Sequence, residues 1–256
     1  MEALLQGRPE PQHLLARVRH TDMRAFVEAA WRGFRQRLDN QPEAARKAVL
    51  CGAVAHFSER LRLNAEQDAV ALNVTRVTSA ADHLYSTSGY SIWFAPAGFE
   101  YLLRLFDRDG DRLHEGRAVR VTPGAPLLVE GDQQVVALHP GRQAHLAFSF
   151  NLPVPGSDIE VFDSNSLARI AWFPADPQAS RFLLLLEALQ RIGDPHLEQV
   201  AGELIFHHHP AVRWQAFLVL MQHSPEKLGQ YSEILGALAN PGLDAMLAQY
   251  KAEGVA

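Results

Sequence analysis

Apolar residues fall at every second position through the middle of the chain: Tyr90, Ile92 and Phe94, then Leu103 and Leu105, Val119 and Val121, Leu127 and Val129, Val135 and Ala137, and finally Leu146, Phe148 and Phe150. Successive side chains of a strand point to opposite sides of a sheet, so this pattern predicts strands with one buried face from about Tyr85 to Phe173. Turn-forming pairs separate the runs: Pro96-Ala97-Gly98, Asp109-Gly110, Pro123-Gly124, Gly131-Asp132, Pro140-Gly141 and Pro155-Gly156. Strands joined at this spacing predict an antiparallel β-sandwich or barrel. Val70, Leu72, Val74 and Val77 predict an earlier strand, and Asp163-Ser164-Asn165-Ser166 predicts the turn of a last hairpin.

On both sides of the centre the period becomes helical. Met23, Phe26, Val27, Ala30, Trp31, Phe34 and Leu38 form one apolar stripe, with Thr21 as the expected cap, after a lead-in over Met1 to Gln12. Asn40-Gln41-Pro42 breaks that helix, and Ala45, Val49, Ala53, Phe57 and Leu61 predict a second one, giving a helical hairpin. After Phe173, Pro177, Pro195, Pro210, Pro225 and Pro241 each stand where a first helical residue belongs, at near-equal intervals from Pro195 onward. The expected class is therefore α+β: an N-terminal helical segment (1–63), a central antiparallel β-sandwich (64–174) and C-terminal helices (175–256).

Composition narrows the function more than the fold. Charged residues are 21% and hydrophobic residues 47%, the proportions of a folded globular protein. The formal net charge of -5 provides no basic field, so neither nucleic acid nor an anionic membrane is an expected partner. Cys51 is the only cysteine, which excludes an intramolecular disulfide. With no signal-like apolar run at the start, the expected location is cytoplasmic.

His209-Pro210-Ala211-Val212-Arg213-Trp214-Gln215-Ala216 resembles the H-P-x-V-R-x-x-A helix start of HEAT-type repeats. That resemblance implies stacked short helices and a tendency to bind proteins. The turns at Pro123-Gly124 and Pro140-Gly141 resemble those of the cupin β-sandwich. Metal-binding cupins carry an H-x-H pair with a Glu, then a P-x-G with a His and an Asn. Here His83 and His114 each stand alone, while Pro140-Gly141, His145 and Asn151 match the later motif with altered spacing.

The candidate residues follow from these readings. His139 and His145 flank Pro140-Gly141 and are expected near one mouth of the sandwich, with Trp93 and Tyr101 as aromatic lining. In the strand ending at Phe150, His145, Ala147 and Ser149 share one face and Leu146, Phe148 and Phe150 the other, and the aromatic face is the expected interior. Arg213 and Trp214 are candidate hot spots for a protein partner. Glu203 lies four residues before His207, a helical spacing that can pair them, and with His145 they form a candidate iron or zinc set. His207-His208-His209 is otherwise expected to end a helix, because the rings fan out around the axis. Asp107-Arg108-Asp109-Gly110-Asp111 lacks the glycine and glutamate positions of a calcium loop and predicts a hairpin turn.

Two functions remain open. One is a non-catalytic binding or accessory protein, without a cofactor, whose sandwich takes a small molecule or peptide and whose helical end contacts a protein. The other is a metal-dependent cupin-type enzyme, such as an oxygenase. A homodimer through an apolar helical face is a further expectation.

Overall fold

In a computed structural model, the described residues are 9–55, 60–64, 69–141, 143–154, 158–174 and 176–253. They form a mixed α+β protein with antiparallel sheets in the middle and helices at the two ends of the sequence. Where three segments were expected, the chain makes two compact units: Met1–Arg108 with Leu113–Val154, and Pro155–Ala256 with Asp109–Arg112.

The first unit begins with α1 (Pro11–His20), which starts at the end of the expected lead-in, Met1 to Gln12, and runs on before the first expected helix. Pro11 at the first helical position lacks an N–H that would have had no partner there, so proline starts this helix and does not block it. α2 (Met23–Asp39) follows, capped by Asp22 and not by Thr21: the Asp22 carboxylate accepts from the amides of Arg24 (3.0 Å) and Ala25 (3.1 Å). The Thr21 hydroxyl instead donates to the Arg17 carbonyl at 2.7 Å. α3 (Glu43–Ala53) stops short of the predicted helix, because the chain turns to strand at β1 (Val54–Ala55) and β2 (Arg60–Arg62). Phe57 lies outside the described residues.

Eight further strands complete this unit: β3 (Ala71–Val77), β4 (His83–Tyr85), β5 (Gly89–Phe94), β6 (Tyr101–Asp109), β7 (Arg112–Val121), β8 (Leu127–Glu130), β9 (Gln134–Leu138) and β10 (His145–Pro153). A six-stranded sheet runs β1-β2-β3-β10-β5-β8, and a three-stranded sheet runs β7-β6-β9. Leu103 and Leu105 of β6 stand opposite Leu138 and Val136 of β9 and join one core with Trp93, Phe94, Phe148 and Phe150 of the larger sheet. Gly98, Gly110 and Gly124 take positive φ at the predicted turns, a conformation that side chains with a Cβ rarely adopt.

The aromatic face of the large sheet does not look into the sandwich, contrary to expectation. Phe26 of α2 meets Phe150 edge-on at 5.8 Å, and Phe150 stacks on Phe94 at 4.9 Å. Leu14, Leu15, Val18, Met23, Ala30 and Phe34 extend the same core. The N-terminal helices thus cover the Phe face and leave the alternate positions, those of His145, Ala147 and Ser149, for the interior.

The second unit holds the hairpin β11 (Ile159–Asp163) and β12 (Arg169–Phe173), then α4 (Pro177–Ile192), α5 (Leu197–Leu204), α6 (Pro210–His223), α7 (Leu228–Gly236) and α8 (Pro241–Glu253). Asp163 closes the hairpin turn by accepting from the amides of Asn165 and Ser166. Pro177, Pro210 and Pro241 begin helices as expected, whereas Pro195 sits two residues before α5 and Pro225 starts a short 3-10 turn. Leu186, Ala201, Ile205, Phe217, Leu220, Leu235 and Leu243 form a core that shares no residue with the first. At its edge Arg169 pairs with Glu160 at 3.1 Å, lies over the Trp172 ring and rests against Gly242.

Candidate functional site

Cross-strand register places an unusual set of side chains on the inner face of the large sheet. Arg62, Asn73, Ser149 and Trp93 stand opposite one another along one row, and Arg60, Thr75 and Ala147 along the next. Directly paired residues of antiparallel strands share a face, so this interior is polar where a sandwich is ordinarily apolar. Asn73, Thr75, Ser91 and Ser149 are all buried. Several satisfy one another: Trp93 Nε1 donates to Ser91 Oγ at 3.0 Å, and Ser149 Oγ donates to Asn151 Oδ1 at 3.3 Å.

Three atoms on that face are not satisfied. Arg60 Nε, Thr75 Oγ1 and His145 Nε2 are buried without a hydrogen-bond partner, and among the described residues of the first unit they are the full set of such side-chain atoms. Arg60 is paired with Thr75 across the β2–β3 ladder, and His145 with Val77 two residues further along β3. All three therefore belong to one patch. Burial also pushes the Arg60 guanidinium below its ordinary pKa, the sign of a charge taken from water without a counter-charge.

Arg60 and Thr75 line a cavity of about 710 Å³ whose other walls are Val77, Leu84, Trp93, Val136 and Leu138. The β3–β4 connection, with Thr78, Ser79 and Asp82, forms its rim. Burial raises the pKa of Tyr85, which also lines it. A volume of this order accommodates a small organic molecule.

His139 and His145 do come together, in a separate cavity of about 270 Å³ with Tyr101, Glu100 and Arg120. Trp93 belongs to the larger cavity, so the four residues expected to share one ligand divide between two. The Tyr101 ring stacks on His145, but its hydroxyl is not available to a ligand. It donates to the Phe94 and Phe148 carbonyls at 2.8 and 3.0 Å and accepts from the Phe148 amide, and burial raises its pKa far above that of a free phenol. A third cavity, of about 730 Å³, lies between α2 and the outer face of the sheet, lined by Trp31, Phe99 and Leu146. Its walls are mainly apolar, with Arg76 at one side and Arg24 already paired with Glu28.

The metal set fares poorly. Glu203 lies in α5, which ends at Leu204, so His207 is beyond the helix and the expected one-face pair does not form. His207 Nδ1 accepts from the His209 amide at 3.0 Å. His209 in turn caps α6, its Nδ1 accepting from the Ala211 amide at 3.2 Å while Nε2 meets Asp158 at 3.2 Å. His208 lies 3.5 Å from Asp176, the cap of α4. The run is thus a turn that starts a helix, not the end of one. His145, though it has a buried free nitrogen, stands with one further histidine. Among the described residues no group of three His, Cys, Asp or Glu side chains is placed to hold a metal ion, and the donors do not fit iron or zinc.

Arg213 and Trp214, both half-buried, make contacts within their own unit. The Arg213 guanidinium donates to the carbonyls of Phe206, His207 and Ile234, and Trp214 stacks on Phe217 at 5.3 Å and meets Tyr250. Exposed apolar side chains in this unit are Phe206, after α5, and a group on α4, where Leu184 is 65% and Ile192 73% exposed and Leu185 lies beside them.

Sequence reasoning missed Arg60 and Thr75, although Arg60-Leu61-Arg62-Leu63 alternates at a strand's period.

No protein-family model and no curated protein sequence matches the chain. Among solved structures it is similar to a cupin superfamily protein from Desulfitobacterium hafniense, at 9% identity and a TM-score of 0.27 over 37% of this chain and 76% of that one. A DMSP lyase from Ruegeria pomeroyi aligns at 12% identity and a TM-score of 0.30, over 48% of this chain and 72% of that one. A sugar phosphate isomerase from a cupin superfamily, from Silicibacter pomeroyi, aligns at 17% identity and 0.27, over 42% and 66%. Scores this low carry no inference about chemistry. No described helix is long and apolar enough to cross a membrane.

Proposed function

We propose that the protein is a non-catalytic binding protein whose sandwich cavity takes a small molecule with an anionic or strongly hydrogen-bond-accepting group. The observation that carries this reading is the pair of unsatisfied buried atoms in that cavity, Arg60 Nε and Thr75 Oγ1, which face each other across the β2–β3 ladder. A buried donor left without a partner costs about 1–3 kcal/mol, and a charged one more. A ligand that brings acceptors offsets that cost, and its absence leaves it in the folded state. A thermal-shift screen of neutral and anionic compounds against the wild type and Thr75→Val tests the reading. Anionic compounds are expected to raise the wild-type Tm, with the effect reduced in the variant. If no compound shifts the wild type, the binding function is lost as an explanation.

A second element concerns the helical unit. As its resemblance to HEAT-type repeats implies, it is read as the part that contacts a protein, and the exposed Leu184, Leu185 and Ile192 on α4 favour that face.

A further inference from the structure

We infer that the ligand of the sandwich cavity is a monocarboxylate with an apolar body, its carboxylate held by Arg60 and Thr75. The inference rests on the reading of the cavity as a ligand site and narrows it by charge, geometry and wall chemistry.

Charge comes first. Of the ionisable side chains lining the cavity, Arg76, Asp82 and His83 are exposed, and Arg60 is the one cation with a buried, unpartnered nitrogen, its Nε. Its Nε has no hydrogen-bond partner. One guanidinium balances one negative charge. A phosphate dianion here would remain half uncompensated in a low-dielectric interior, whereas a carboxylate is neutralised.

Geometry agrees. Guanidinium presents parallel N–H donors that match the two oxygens of a planar carboxylate. Thr75 stands directly opposite Arg60 in the ladder, so its hydroxyl lies where it can donate to an oxygen that Arg60 leaves open. The remaining walls then decide the body. Val77, Leu84, Trp93, Val136 and Leu138 offer hydrocarbon and one indole, whose N–H is already given to Ser91. An alkyl or aryl chain is covered by these walls, while Thr78, Ser79, Asp82 and His83 line the same cavity at its exposed rim and keep its mouth polar.

The test is calorimetric titration of the full-length protein with acetate, hexanoate, phenylacetate, phenylacetamide and inorganic phosphate, repeated on Arg60→Gln. Hexanoate or phenylacetate is expected to bind at least tenfold more tightly than acetate, and phenylacetate at least tenfold more tightly than its uncharged amide. Arg60→Gln is expected to abolish that preference while melting no lower than the wild type, because an uncompensated buried charge has been removed. Phosphate binding more tightly than every carboxylate overturns the ligand class but keeps an anion site. Equal binding of acid and amide, unchanged by the substitution, overturns the carboxylate inference and keeps a ligand cavity. No binding by any probe, together with a lower melting temperature for Arg60→Gln, overturns the site itself and makes Arg60 a structural residue.

Discussion

Tyr101 shows how a side chain that reads as ligand lining becomes a rivet. Its hydroxyl joins the backbone of Phe94 and Phe148, on two adjacent strands. Tyr101→Phe is therefore expected to destabilise the first unit by about 1–3 kcal/mol, measured by urea unfolding, because buried backbone groups lose a partner. His207 carries a pH prediction. Burial first, then the neighbouring His208 and His209, lowers its pKa below the ordinary value of about 6.5. The folded state thus prefers the neutral ring, which alone can accept the His209 amide through Nδ1. Its contribution is complete above the unfolded pKa and is lost as pH falls through the lower folded value. Asp176, whose pKa is lowered by the Gln178 amide and by His208, loses its contribution only further down, below about 4. The melting temperature is expected to drop between pH 7.5 and 5.5, and His207→Asn, which offers an acceptor without titrating, is expected to flatten that drop. None of these roles was legible in the residue types, since a phenol or an imidazole reads the same whether its polar atom faces a ligand or a backbone amide.

Among elements, the strands were the most legible, because alternation registers burial directly, and Gly98, Gly110 and Gly124 fixed the turns between them. Which face turns inward was not legible. Both faces of β10 are buried, one against α2 and one inside the sandwich, and periodicity cannot rank two buried faces. The helix caps were readable in kind: Asp176 and His209 cap the helices that Pro177 and Pro210 begin, whereas at α2 the cap falls on Asp22 and not on Thr21. Gly116 in β7 makes a strand-level prediction: a Cβ there would overlap the Leu105 carbonyl of the adjacent strand. Gly116→Ala is expected to cost about 3 kcal/mol or more, seen as a lower urea midpoint, because backbone on both sides cannot yield. On α4, Leu184→Glu with Ile192→Glu is expected to leave the melting temperature within about a degree, as exposed positions do. Any self-association detected by sedimentation is expected to weaken in that double variant.

At the scale of the whole chain, the two cores share no residue. Hydrogen exchange with a bound carboxylate is expected to slow amides of β2, β3 and β10 and to leave α4 to α8 unchanged. Protein purified without a polyhistidine tag is expected to carry less than stoichiometric iron or zinc by elemental analysis, given a donor set that stops at two histidines. The class of the fold followed from period alone. The cavity did not, because it depends on register between β2, β3 and β10, segments up to about ninety residues apart in sequence whose pairing no local pattern states.

The polar interior also sets opposing pressures on the gene. A library of variants selected only for resistance to heat would be expected to replace Arg60 and Thr75 early with residues that need no partner. A library selected for retention of the small molecule would keep them and accumulate its stabilising changes elsewhere. The positions at which two such populations diverge would trace the outline of the site without any ligand having been identified.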